Sequence, residues 1–193
     1  MAGDRASRPE AKPVRLFVAV DVPESLRDDV AARIAPLRER VRGKWVPTQN
    51  WHLTLKFLGA TWPRVVDWVK ASCEGVARSR DAFETSLTGL GTFPNERRAR
   101  VLWVGLDDPA GRLASIVSGL DDALSSEFKV EKRPFTAHLT VARFDPTVSL
   151  AGELEGIEVS GERFSIDKLV LYRSHLQRPA PRYEQIGEFP LGR

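Results

Sequence analysis

Apolar and polar positions alternate one by one in the stretch Trp51-His-Leu-Thr-Leu-Lys-Phe-Leu-Gly59. Trp51, Leu53, Leu55 and Phe57 are apolar, while His52, Thr54 and Lys56 are polar. Period-two alternation predicts a half-buried strand, with His52 and Thr54 on one face about 6.5 Å apart along the chain. The unit returns at Ala137-His-Leu-Thr-Val141, where Leu139 and Val141 point one way and His138 and Thr140 the other. Two of the three histidines in the chain therefore open a His-apolar-Thr-apolar unit. At this composition a given His is followed by such a triplet roughly one time in a hundred, so the pair is a coincidence on the order of a few in ten thousand.

The rest of the pattern supplies the frame. Arg15 to Val22 is a nearly continuous apolar run and reads as a central strand. Pro23 then opens a helix with Leu26, Val30, Ile34, Leu37 and Val41 at three-to-four spacing, which Pro36 is expected to kink or end early. Lys44 to Val46 adds a short strand. Trp62 to Ala77 is a second amphipathic helix, carrying Val65, Val66, Trp68, Val69 and Val76. Strands follow at Phe83–Thr92 and Arg100–Leu106, separated by the turn residues Phe93 to Arg98. A third helix, from about Pro109 to Phe128, aligns Leu113, Ile116, Val117, Leu120 and Leu124 on one stripe. Asp145 to Gly161 reads as a loop broken by a short strand at Ile157–Val159. Strands near Phe164–Tyr172 and Tyr183–Phe189 close the chain, joined by the basic, Pro-rich segment Arg173–Arg182.

Short turns between neighbouring strands point to antiparallel sheets, hence an α+β fold. The two His-Thr strands sit in comparable contexts about half the chain apart. That predicts two pseudo-symmetric lobes with flanking helices, each placing one motif on a central cleft. Residues 1–13, charged and small, read as a flexible N-terminal tail, and residues 14–193 as a single bilobal domain.

Composition narrows the setting. The 193 residues are 42% hydrophobic and 28% charged, ordinary for a globular protein. A net charge of +3 permits a phosphate-bearing partner without demanding one. The single cysteine, Cys73, excludes an internal disulfide and suits a reducing cytoplasm. Its place in the second helix reads as a buried structural thiol rather than a nucleophile. No signal peptide and no apolar run of membrane-spanning length is present, so a cytoplasmic monomer is expected.

Histidine gives or takes a proton near neutrality, and two facing one substrate act as acid and base in one turnover. The Thr54 and Thr140 hydroxyls, on the same faces, suit the two non-bridging oxygens of a phosphodiester. Lys56 shares the His52 face and is a candidate to approach phosphate. Phe57 and Arg143 each lie five residues past a motif histidine, so strict alternation points them away; they reach a base or phosphate only if the strand bends. Arg133 is a candidate phosphate contact. Arg97, Arg98, Arg178 and Arg182 lie in loops from which they would track an RNA backbone. His175, without a Thr partner, is expected to be solvated.

Other chemistries fit less well. Two histidines without clustered carboxylates or thiols make a poor zinc site, so no metal or cofactor is expected. No Walker or Rossmann fingerprint is present. A Ser-His-Asp hydrolase has no need of two equivalent histidines. A non-catalytic module binding a nucleotide or RNA end is the rival from another class.

The chain resembles the two-histidine (2H) phosphoesterases, and among them the bacterial and archaeal RNA 2′,3′-cyclic phosphodiesterases, long called 2′-5′ RNA ligases. The marks are Arg15-Leu-Phe-Val-Ala-Val-Asp21, Trp51 to Gly59, and Arg133-Pro-Phe-Thr-Ala-His-Leu-Thr-Val-Ala-Arg143. Phe93-Pro94, Arg100-Val-Leu-Trp103, Leu171-Tyr-Arg-Ser174 and Arg182-Tyr-Glu184 add to them, and the likeness runs from Arg15 to Leu191. One departure is Ala137, where the family usually has Pro. The resemblance implies two lobes of antiparallel sheet around a V-shaped cleft. It also implies that His52 donates a proton to the leaving oxygen and that His138 activates water. The implied substrate is an RNA or nucleotide ending in a 2′,3′-cyclic phosphate, opened to a 2′-phosphomonoester. Ligation to a 2′-5′ bond, the near-reverse displacement, stays open.

Overall fold

The computed structural model describes residues 12–159 and 163–192. Ten strands and three α-helices are found there: β1 (Val14–Asp21), α1 (Glu24–Arg40), β2 (Lys44–Trp45), β3 (His52–Thr61), α2 (Val66–Arg78), β4 (Phe83–Thr85), β5 (Leu87–Phe93), β6 (Ala99–Leu106), α3 (Arg112–Leu124), β7 (His138–Val148), β8 (Phe164–Ile166), β9 (Lys168–His175) and β10 (Arg182–Pro190). Eight strands form one sheet in the order β10-β9-β1-β3-β7-β6-β5, with β2 on β7; β4 and β8 form a separate pair. All register pairs between these strands are antiparallel. Two half-sheets, β10-β9-β1-β3 and β7-β6-β5 with β2, thus meet through one register pair, Leu53↔Leu139. The α+β architecture and its two sheet-bearing halves agree with the reading of the sequence.

β1 is apolar throughout because it pairs with β3 on one side and β9 on the other, and its residues Leu16 to Val20 are all buried. Helices α2 and α3 pack against each other, α2 also against β9 and β10, and α3 against β3. Their buried stripes, Val69, Cys73, Val76 and Ala77 on α2 and Leu113, Ile116, Val117, Leu120 and Leu124 on α3, cover one face of the sheet. The opposite face of β3 and β7 is left for the motif side chains. Among the described residues no helix is long and apolar enough to cross a membrane.

Four expectations are revised. Helix α1 runs through Pro36 to Arg40. Pro36 and Ala32, whose carbonyl loses its partner, both face water, while Leu37 anchors the next turn in the core. The run Phe83–Thr92 divides at Ser86, because β4 leaves to pair with β8. Strand β7 continues to Val148 into the stretch read as loop, and Ile157–Val159 is not a strand; Ser160 to Glu162 lie outside the described residues. The helix expected from Pro109 starts at Arg112, where the Asp108 carboxylate accepts the Leu113 and Ala114 N–H groups at 2.7 and 3.0 Å. Residues 1–11 of the expected tail also lie outside the described residues.

Candidate active site

His52 and His138 each open a motif strand, at the line where the two half-sheets meet. The pair Leu53↔Leu139 buries both leucines, so His52, Thr54, His138 and Thr140 all look out from the other face. Antiparallel pairing there sets His52 across from Thr140 and Thr54 across from His138. In a regular pair such neighbours have Cβ atoms about 5 Å apart and diagonal ones about 7–8 Å, the latter being the two histidines.

His52 stacks on Phe17, ring centroids 4.7 Å apart and 23° from parallel. Tyr183 meets it edge-on at 5.2 Å and Tyr172 lies at 6.0 Å. Burial under these rings pulls its pKa down to about 4, against the opposing pull of a hydrogen bond to the Asn50 backbone and the charge of Asp21. His138 sits edge-on to Phe93 at 5.1 Å and to Trp103 at 6.2 Å. Trp103 lies flat across β5 because its partner there is Gly91, where a Cβ would stand 2.2 Å from the ring. Burial also lowers the pKa of His138; the Thr136 carbonyl opposes the shift and the Arg143 charge adds to it. In the neutral ring, Nδ1 donates to the Thr136 carbonyl at 2.8 Å. That leaves Nε2 with its lone pair free, the tautomer a general base needs. Both histidines thus lean on the backbone two residues upstream, at Asn50 and Thr136.

The strands then do something strict alternation does not predict. In β1–β3 the partners step from Val18↔Lys56 to Ala19↔Thr54, leaving Leu55 with no partner of its own. In β6–β7 they step from Leu102↔Ala142 to Trp103↔Thr140, and Val141 is skipped likewise. Each motif strand carries a β-bulge at the same offset from its histidine, and the two burial patterns match over their first seven residues. Leu55 and Lys56, and Val141 and Ala142, all turn inward. The face of the next residue is reversed, so Phe57 and Arg143 emerge on the side of the histidines. Phe57 is 57% exposed, with the Arg15 guanidinium 5.2 Å above its ring. Arg143 is close enough for its charge to add to the lowering of the His138 pKa and to oppose the rise that burial gives Tyr183.

Lys56 is correspondingly lost to the substrate face. It is 6% exposed and ion-paired with Asp121 of α3, and it donates to the Lys129 carbonyl at 3.1 Å. Arg133 is forked onto Glu131 at the surface, its side chain 86% exposed. Arg97 and Arg98 are exposed in the turn after β5, and Arg178 in the loop before β10. His175 is paired with Glu184 at 2.6 Å rather than simply solvated, because the two are diagonal neighbours on one face of the β9–β10 pair, where His175 lies opposite Arg182 and Glu184 opposite Arg173. A pocket of about 450 Å³ opens beside His52; Arg182 lines it, with Arg27, Asp21, Asn50, Tyr172 and Tyr183 among its other walls.

The aromatic setting of the histidines, Phe17, Tyr172 and Tyr183 on one side and Phe93 and Trp103 on the other, was not assigned to the site from sequence. The signal available was sparse usage: the chain has two tyrosines, and both reach His52. Among the described residues no group of three or more His, Cys, Asp or Glu side chains is placed to hold a metal ion.

Two imidazoles and two hydroxyls look out from one face of the motif strands, with the Arg143 charge felt at His138, a set that matches the two-histidine phosphoesterases. The family model for LigT-like phosphoesterases matches the chain twice, over residues 20–103 and 104–183, one copy for each motif. An RNA 2′,3′-cyclic phosphodiesterase of Methanothermobacter thermautotrophicus is 35% identical over 92% of this chain and 99% of its own. One from Aquifex aeolicus is 30% identical over 94% and 99%. The crystal structure of Escherichia coli LigT with 3′-AMP superposes with a TM-score of 0.76 at 25% identity, covering 94% of this chain and 99% of that one. The chain belongs to the LigT-like phosphoesterase family.

Proposed function

We propose that the protein opens the terminal 2′,3′-cyclic phosphate of an RNA or nucleotide to a 2′-phosphomonoester, with His138 as base and His52 as acid. The division of roles follows the family resemblance, and the Nδ1–H of His138 bonded to the Thr136 carbonyl supports His138 as base, since it leaves Nε2 as acceptor for a proton of water. The substrate class rests on the relatives named RNA 2′,3′-cyclic phosphodiesterase and on the nucleotide-bound E. coli relative.

In this reading His138 Nε2 takes one proton from a water as its oxygen attacks phosphorus. The bond from phosphorus to the 3′ oxygen breaks, and His52 delivers its proton to that oxygen. The two protons balance: one imidazole gains and the other loses, and solvent exchange resets both. His52 is neutral at pH 7 in the free protein, with its pKa near 4. An anionic phosphate set beside it favours the imidazolium and raises that pKa, so the acid form arises as substrate binds. The Thr54 and Thr140 hydroxyls hold the non-bridging oxygens, and Arg143 balances their charge. Phe57 offers its exposed ring to the base. No step calls for a metal ion.

Both motif strands come from one chain, which supports residues 14–193 working as one bilobal domain and as a monomer. Cys73, buried with its thiol pKa pushed up to about 12, fits a cytoplasmic protein without disulfides. The test is phosphorus NMR on a cyclic nucleotide and on a cyclic-phosphate RNA oligomer after exhaustive EDTA treatment. A 2′-monophosphate is expected. A 3′-monophosphate would reverse the substrate in the cleft, and activity lost to EDTA and restored by one metal would end the proposed mechanism.

A further inference from the structure

The pocket beside His52 counts none of Thr54, His138 and Thr140 among its lining residues. Arg27, from the first turns of α1, and Arg182, from the start of β10, bring two guanidinium groups to it. Arg27 Nη1 donates to the Thr48 carbonyl at 3.1 Å, which fixes the plane of the group. Its Nε is buried and has no hydrogen-bond partner, a cost that native structures rarely leave uncompensated. The one carboxylate in the lining, Asp21, is engaged by the Tyr172 hydroxyl at 2.8 and 3.0 Å. The remaining polar walls are the amides Gln49, Asn50 and Gln185, and Asn50 ties the two sides together by donating to the Pro181 carbonyl at 2.8 Å. At about 450 Å³ the space lies within the range of about 300–1,000 Å³ typical of small-ligand sites.

We infer that this pocket binds the phosphodiester on the 5′ side of the terminal nucleotide, with Arg27 and Arg182 as its charge partners. The inference rests on the cyclic-phosphate reading above. His52 forms a wall of the pocket and an edge of the motif face at once. A phosphate held on each side of His52 matches an RNA end, whose terminal ribose carries both a cyclic phosphate and a 5′ phosphodiester, and not a free nucleoside 2′,3′-cyclic phosphate. Guanidinium pairs favour the planar, two-oxygen contact that a phosphodiester offers. The site would thereby select RNA ends over mononucleotides.

The test compares kcat/KM for adenosine 2′,3′-cyclic phosphate with and without a 5′-phosphate, in the wild type, Arg27→Gln and Arg182→Gln. The wild type should prefer the 5′-phosphorylated substrate by about tenfold or more, mainly through KM, the worth of a charge-assisted contact. Each variant should bring the ratio down towards one, and the wild-type preference should shrink as salt is raised. Arg182 is exposed, so its variant stays informative if Arg27→Gln folds poorly. A wild-type ratio near one, or a ratio untouched in Arg182→Gln, would overturn the inference while leaving the cyclic-phosphate reading intact. Wild-type turnover of neither substrate would instead strike at that reading.

Discussion

Replacing Asp121 by Asn should destabilise the protein by about 3–5 kcal/mol, the usual cost of stranding one member of a buried ion pair. The pair it forms with Lys56 has side chains only 11% and 5% exposed, so water cannot take over from the lost carboxylate. For a chain of this size each kcal/mol moves Tm by roughly 2–4 °C, giving a fall of roughly 6–20 °C. Lys56→Met alone should cost about as much, since Asp121 then faces the core unpaired. The double variant Lys56→Met/Asp121→Leu should recover most of the loss, because well-packed apolar replacements of a buried pair are often neutral or better. A residue of about 1 kcal/mol should persist, since the Lys129 carbonyl loses the donor that Lys56 supplies at 3.1 Å. Urea unfolding of the four proteins at pH 7 compares these costs directly. A cost below about 1 kcal/mol for Asp121→Asn would refute the burial argument. So would a Lys56→Met protein of normal stability whose turnover collapses, for that would return Lys56 to the substrate.

Acid should probe His52. Its pKa of about 4 against an ordinary 6.5 means the folded protein binds fewer protons than the unfolded chain between those values. Stability from this group is therefore full above pH 6.5 and falls by about 3 kcal/mol as pH drops towards 4. Urea melts at pH 7 and 4.5 should show that extra acid loss in the wild type and not in His52→Phe; equal losses would contradict it. Arg143→Ala should let the His138 pKa rise in an NMR titration, because the cation that helps depress it is gone; a fall would place Arg143 elsewhere. Thr54→Val and Thr140→Val should each lower kcat by at most 10²–10³-fold, the worth of one lost donor, and normal kcat in both would remove the hydroxyls from the transition state.

What the sequence revealed and what it hid divide along a physical line. Alternation at Trp51–Phe57 and Ala137–Val141 placed His52, Thr54, His138 and Thr140 on common faces, because side-chain direction along a strand is a local property. The bulges at Leu55 and Val141 are not local. They arise where β3 fits against β1 and β7 against β6, and they decide that Phe57 and Arg143 face the cleft while Lys56 does not. Pro36 misled for a related reason: its cost depends on whether the Ala32 carbonyl meets water, which only the packed helix shows. The aromatic walls around the histidines come from five other strands, so no window of sequence holds them together.

The paired-histidine mechanism is tested most directly by single-turnover kinetics of His52→Ala, His138→Ala and the double variant on one cyclic-phosphate RNA oligomer. Each single substitution should slow turnover about 10²–10⁴-fold with folding intact by thermal melt, and the wild-type pH profile should be bell-shaped. The double variant should lose far less than the product of the two, since the residues act as a unit. A folded single variant that keeps near-normal turnover would contradict the mechanism, as would losses that simply multiply.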